Sequence, residues 1–245
     1  MKDIKKKTFE VIENFSYKNA VELQKNLRKV LLKTEPIKFK SFPQLVAGCD
    51  VTFLNPYKTP TTAIASVVIL NTQTLKSELI TVEETEVNIP YIPTLLAFRE
   101  LPVLIKVIEK TTEKLSHPIE LLIVDGHGIS HPRRLGIATH LGMVTGIPTI
   151  GCAKKILCGK HFKLGNKRGS ISMLIHETEV IGAAVRTRTN TKPIFVSSGF
   201  KVKLPFAIKV TLKLAKYRLP EPTRLAHNSL VKYRRRLINE QSALF

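Results

Sequence analysis

The chain has 245 residues, 43% of them hydrophobic, and carries 39 Lys and Arg against 19 Asp and Glu, a formal charge of +20. That is length for one large domain or two small ones, with apolar material for a sizeable core. So basic a surface points to a polyanion partner, nucleic acid first, and no stretch reaches the ~18 apolar residues that a membrane span needs.

At the N-terminus, Met1 to Lys7 lacks the apolar centre of a signal peptide. Residues 17–33 place Val21, Leu23, Leu27, Val30 and Leu31 at helical spacing among lysines and arginines, which predicts an amphipathic helix. Three strands are expected next, at 44–53, 61–70 and 75–83, with Asn71 to Thr74 turning between the last two. Residues 95–112 have helical periodicity, and Pro102 should kink or restart that helix. The apolar run Leu121 to Val124 reads as a buried strand. Residues 131–142 suit a helix with Pro132 in its first turn. A short strand at 149–152 follows, then an exposed loop or hairpin over the Gly- and Lys-rich 158–170. Strands are expected at 179–188 and 192–198, and helices at 204–217 and 222–237. Strands first, then alternating helices and strands, predict an α/β fold with one mixed sheet. No internal repeat or low-complexity linker divides it.

Three cysteines are too few for a disulfide framework and predict a reducing, cytoplasmic setting. Cys152, Cys158 and His161 lie close in sequence, but no fourth ligand at zinc spacing accompanies them. Two small buried thiols are the simpler expectation.

The chemistry concentrates in the sixteen-residue block Asp125-Gly-His-Gly-Ile-Ser-His-Pro-Arg-Arg-Leu-Gly-Ile-Ala-Thr-His140. Four apolar residues, a lone Asp and then Gly-His-Gly describe a strand that ends in a carboxylate at a sharp turn. Asp50 has the same setting within Val46-Ala-Gly-Cys-Asp-Val-Thr-Phe53. Burying an unpaired carboxylate is costly, so both are expected to have a partner or a task. On a helix over 95–107, Glu100 shares a face with Leu96, Val103, Leu104 and Val107 and points inward; if Pro102 breaks that helix, Glu100 is merely solvated. Three convergent carboxylates suit a hard divalent cation, Mg2+ or Mn2+, rather than zinc.

Five segments, in order, carry a resemblance: Val46–Phe53, Pro90-Tyr-Ile-Pro-Thr-Leu-Leu-Ala-Phe-Arg-Glu100, Asp125–His140, Gly151-Cys-Ala-Lys-Lys-Ile-Leu157 and Leu219-Pro-Glu-Pro-Thr-Arg-Leu-Ala-His227. Across them the chain resembles endonuclease V, the family of metal-dependent nucleases that act beside deaminated purines. The resemblance implies a ribonuclease H-like fold in a single domain, with the helix at 17–33, a catalytic core over 46–227 and a basic extension over 228–245. It implies that Asp50, Glu100 and Asp125 bind Mg2+, with Mn2+ as a substitute, and that His227 stands near the metal as a further catalytic and metal-site residue, able to bind it or orient a water. Lys154 matches the family's active-site lysine, placed to hold a phosphate or orient water. Pro90, Tyr91, Ile92 and Pro93 match a strand-separating wedge, in which a flat ring fills the gap left by a flipped base; without the resemblance, Tyr91 reads as a core aromatic at a helix start.

Gly126, Gly128 and Gly136 allow close backbone approach to a base edge, and the resemblance adds Leu96, His131, Ile137 and Leu157 as walls of a lesion pocket. Turn and packing geometry explain the same glycines equally well. The implied reaction is hydrolysis of the second phosphodiester bond 3′ to deoxyinosine, by one metal ion or two, in a monomer that binds inosine-containing DNA and no membrane. An inosine-specific ribonuclease is the nearest alternative, and a non-catalytic nucleic-acid-binding module a more distant one. From Lys201 to Phe245, eleven Lys and Arg face only Glu221 and Glu240, a composition suited to phosphate contacts. Two positions depart from the family pattern. Thr94 stands where Gly is common after the wedge, and Phe200 where His is common.

Overall fold

The computed structural model describes residues 2–242. The elements follow in the order α1 (Lys2–Glu13), α2 (Tyr17–Leu32), β1 (Leu45–Phe53), β2 (Thr61–Asn71), β3 (Ser77–Val87), α3 (Leu96–Glu113), β4 (Leu121–Val124), α4 (Ile137–Thr145), β5 (Thr149–Ala153), β6 (Lys160–His161), β7 (Ile171–His176), β8 (Glu179–Val185), β9 (Ile194–Ser198), α5 (Leu204–Leu214) and α6 (Glu221–Ser242). All strands join one sheet in the order β3-β2-β1-β4-β5-β9-β8-β7-β6. Its centre, β1-β4-β5, is parallel, and every other pairing is antiparallel. This is the mixed, helix-flanked sheet of a ribonuclease H-like fold.

Strand alternation sorts the side chains into two cores. Ala47, Cys49, Leu122 and Val124 face one way, packing with residues of α2, α3 and α4 and with half-buried Ile4, Phe9 and Ile12 of α1. Val46, Leu121, Ile123, Ile150 and Cys152 face the other way, toward α5 and the half-buried Leu219 and Leu225. On that second face Gly48 permits a contact no other residue would: a Cβ there would lie 2.2 Å from the Pro222 carbonyl carbon. The start of α6 is therefore pressed directly onto β1.

Several expectations change in the structure. Residues 2–13 form a helix that the lysine-rich composition hides; only Thr8 of it is fully buried. α3 runs unbroken through Pro102. Proline inside a helix costs ~3 kcal/mol, but Leu101, Val103 and Leu104 around it are at most 1% exposed, and burying each such side chain contributes ~1.5–3 kcal/mol. The helix expected from His131 begins only at Ile137. Arg134 takes a left-handed φ of 57° and its guanidinium reaches Glu179 (2.6 Å) and the His131 carbonyl (3.1 Å), so 131–136 is a clamped turn. β3 extends to Val87 through a glutamate-rich stretch, because Glu83 pairs with Lys106 and Lys110 of α3. Asn71 makes the expected turn, its Oδ1 accepting the amides of Gln73 (3.0 Å) and Thr74 (3.2 Å). β7 had no counterpart in the sequence pattern. α6 crosses position 228 without interruption; residues 243–245 of the expected basic extension lie outside the described residues.

The N-terminal helix is fixed by a buried polar pair, Thr8 Oγ1 and His140 Nε2 at 3.0 Å. Burial holds the His140 imidazole down at about 3. As pH falls below the ordinary histidine value, the unfolded chain takes up a proton that the folded protein refuses, so stability present at neutral pH is lost on acidification. Between pH 7 and pH 5 this single group should remove about 2 kcal/mol from the unfolding free energy. In urea titrations His140→Gln should show a shallower acid loss by that amount; parallel pH profiles would contradict the assignment.

Candidate active site

Parallel pairing sets Cys49 opposite Val124 on strands ~4.8 Å apart, so the next residues, Asp50 on β1 and Asp125 just past the end of β4, stand side by side. Alternation turns both toward the α6 face, Asp50 in line with Val46 and Gly48, Asp125 with Leu121 and Ile123. Lys154, just past β5, continues the line of Ile150 and Cys152 onto the same face. Its ammonium pairs with Asp125 Oδ2. From α6, His227 Nδ1 donates to Asp50 Oδ2 at 2.8 Å, while Asp50 Oδ1 accepts the Val51 amide at 2.9 Å. Glu100 arrives from α3, on the opposite face, half-buried at the wall of a cavity it shares with Asp125.

Glu100 and Asp50 both register the crowding of negative charge. Burial, then the charges of Asp50 and Asp125, push Glu100 up to about 8, with Arg99 opposing. Burial, then Asp125, raises Asp50, against the bond from His227 and the charge of Lys154. Cys49, beneath them, is raised by burial and by all three. As they lie, no three His, Cys, Asp or Glu side chains among the described residues form a cluster able to hold a metal ion. Asp50 is turned onto the His227 imidazole and Asp125 onto the Lys154 ammonium, and Glu100 comes from the other side of the sheet. The donor chemistry nevertheless fits a hard divalent cation: half-buried carboxylate oxygens whose mutual repulsion a cation would relieve.

Beside the carboxylates is a cavity of about 160 Å3. An apolar cavity of ~150 Å3 takes one benzene ring, so this one is scaled to a flat heterocycle. Leu96, Gly126, His131, Gly136, Ile137 and Leu157 come together in its lining, joined by Tyr91 and Pro93 of the proline-flanked segment and by Gln24, Thr94 and His127. Gly128 does not line it. A Cβ at Gly128 would sit 2.0 Å from the Ser198 carbonyl oxygen, which makes its role close packing. The amides of all three glycines are already engaged: Gly126 with Val124 O (2.9 Å), Gly128 with Ser197 Oγ (2.9 Å) and Gly136 with Gly128 O (2.9 Å). Burial keeps His127 and His131 neutral, each lowered to about 4, partly countered by backbone hydrogen bonds at Lys155 and Thr94. Tyr91 is 60% exposed, so it is not a core aromatic; Ile92 packs against the core and anchors the segment.

Sequence reasoning missed the residues that hold this wall in place. Thr94 has φ 69°, a left-handed conformation that favours glycine. Arg133 donates to Thr94 Oγ1 (2.6 Å) and to its carbonyl (2.9 Å), and Gln24 and His131 reach the same carbonyl at 3.2 and 3.0 Å. Gln24 was detectable in principle, as a polar residue among Ala20, Leu23 and Leu27 on the buried side of α2. Arg218 donates to the Lys154 carbonyl at 2.9 Å and so fixes the backbone of the lysine. Phe200 lies in the core against Gly142, apart from the carboxylates. Of the thiols, Cys152 is buried, but Cys158 only partly so.

A ribonuclease H-like sheet with paired aspartates and a lysine at the ends of its central strands defines the nuclease class. The Endonuclease V family model matches residues 25–228. Endonuclease V of Dictyoglomus turgidum is 42% identical over 226 residues, 92% of either chain. Among solved structures, Endonuclease V of Streptomyces avermitilis superposes with a TM-score of 0.79 at 37% identity, covering 93% of this chain and 95% of the other. That of Ciona intestinalis, in complex with a DNA containing an inosine followed by a ribo-adenosine, superposes at 0.75 with 25% identity over 87% and 95%. The chain belongs to the endonuclease V family.

Left-handed backbone costs a non-glycine residue ~1–2 kcal/mol, and a hydrogen bond to a charged group contributes ~1.5–3 kcal/mol. Thr94→Gly relieves the first and loses the second, so urea unfolding should place it within about 1 kcal/mol of wild type. Thr94→Val keeps the strain and also loses the bond, so it should cost about 1–2 kcal/mol more than Thr94→Gly, the strain alone. Equal stabilities would refute this account of the loop.

Proposed function

We propose that the chain is a Mg2+-dependent endonuclease that takes deoxyinosine into the cavity beside Asp125 and hydrolyses the second phosphodiester bond on its 3′ side. The observation that carries this reading is the adjacency of Asp50 and Asp125, with Lys154 on the same face, next to a cavity scaled to a flat heterocycle and flanked by an exposed tyrosine. The Ciona relative's complex with inosine-containing DNA supports the choice of base.

On this reading each part of the site has a role. Pro90 and Pro93 stiffen the approach and Tyr91 offers its ring to the space a flipped base vacates. Leu96, Ile137 and Leu157 supply apolar walls, and neutral His131 a polar edge. Lys154, now paired with Asp125, exchanges that partner for a phosphate oxygen when the strand enters. His227, through Nδ1, orients Asp50 and can accept a proton at Nε2. A divalent cation held by Asp50, Glu100 and Asp125, with His227 at its margin, would acidify water and neutralise charge on the phosphate. The basic C-terminal helix adds phosphate contacts.

The ribo-adenosine that follows inosine in the Ciona complex favours a second reading, in which the strand cut is RNA or carries a ribose next to the inosine. Duplexes bearing deoxyinosine followed by deoxyadenosine or ribo-adenosine, each with and without Mg2+, separate the two. Nicking of the all-deoxy strand is the expected result; cutting confined to the ribose-containing strand would transfer the assignment to the ribonuclease. Asp125→Ala should lower the nicking rate roughly a thousandfold, the scale of losing a group acting only on the transition state, with inosine binding retained. Normal nicking by that variant would refute the site.

A further inference from the structure

Tyr217 lies in the connection between α5 and α6, 50% exposed. The Arg224 guanidinium stands 4.9 Å from its ring centre and that of Arg188 stands 5.9 Å away. The two arginines differ. Arg224 is gripped by both oxygens of Glu221, at 2.8 and 2.7 Å, and braces the ring. Arg188 is exposed and has no carboxylate partner among the described residues.

This group is rigidly tied to the active site. Arg218, the next residue, donates to the carbonyls of Lys154 (2.9 Å), Pro193 (3.0 Å) and Lys192 (3.1 Å), while its own carbonyl accepts from Thr187 Oγ1 (2.6 Å). One guanidinium thus clamps the Tyr217 connection, the 187–193 loop and the backbone of Lys154 together. Tyr217 follows α5 and precedes α6, on the face of the sheet where Asp50, Asp125 and Lys154 point. The base-sized cavity and Tyr91 lie on the other face, against α3 and α4. Two exposed tyrosines therefore bracket the carboxylates from opposite sides.

We propose that Tyr217 and Arg188 form a stacking subsite for the single strand beyond the cleaved bond: a base stacks on the exposed part of the Tyr217 ring, and Arg188, the looser of the two arginines over that ring, swings to the adjoining phosphate. An exposed ring framed by cations suits a base better than a peptide, since every base has a π face and carries an anion beside it. Exposed Lys192 and Lys216 extend the positive margin. This inference rests on the nuclease reading above and extends it to the strand's 3′ side.

The test is fluorescence anisotropy, without divalent cation, on single-stranded oligonucleotides that contain deoxyinosine. One ends just 3′ of the lesion, and the other carries several further nucleotides. Wild-type protein should bind the longer strand about tenfold more tightly, the scale of one stacked base. Tyr217→Ala should bring that ratio close to unity and Tyr217→Phe should preserve it. Arg188→Ala should lower the salt slope of long-strand binding by about one phosphate. A wild-type ratio near unity, or a Tyr217→Ala variant that weakens both strands alike and so keeps the wild-type ratio, would overturn the proposal. Matching strands with deoxyadenosine form a separate arm: a wild-type protein with no preference for inosine counts against the lesion reading, while the ratios still judge Tyr217.

Discussion

The structure depends on one imposed proximity, the parallel pairing of β1 with β4 that holds Asp50 and Asp125 side by side. Both backbones are locked in the centre of the sheet, so the two carboxylates cannot part to relieve their repulsion. The surroundings answer that charge. Lys154 pairs with one aspartate, His227 with the other, and Glu100 remains so disfavoured as an anion that its pKa is pushed up to about 8. Holding negative charge together in this way costs folding free energy.

The two faces of the sheet divide the labour. The α3 and α4 side builds a cavity scaled to a flat ring, walled by the segment that Arg133 and Gln24 hold through Thr94. The α5 and α6 side supplies the lysine, the histidine and the cation-framed tyrosine. Part of the chain's positive charge is spent internally. Arg133, Arg168, Arg186 and Arg218 donate to backbone carbonyls and staple loops to the frame. A net charge of +20 therefore overstates the cation available to nucleic acid.

Much of the site was legible because its residues sit where local patterns are strongest. A run of apolar residues ending in a lone Asp marks Asp125, and period-two alternation then fixes the face it shares with Lys154. Helical spacing gave Glu100 its inward direction, and the continuity of α3 through Pro102 removed the alternative of a solvated side chain. What was hidden depends on contacts distant in sequence. The left-handed turn at Arg134, which delays α4 to Ile137, is held by Glu179. Gly128 was a plausible base contact until the close approach of Ser198 showed what its missing Cβ is for. Helix α1 carries an apolar stripe through Ile4, Phe9 and Ile12, but its lysines dominate the composition and mask it.

The central claim is that the paired aspartates exist to share a hard cation with Glu100. Crystals soaked in Mn2+ test it directly, through the anomalous signal of the ion. A single strong peak, or two, bridging Asp50 and Asp125 at oxygen distances of ~2.1–2.2 Å, with Lys154 released from Asp125, is the result this account requires. Saturating Mn2+ with no peak there, and with both aspartates still bonded to Lys154 and His227, would contradict it.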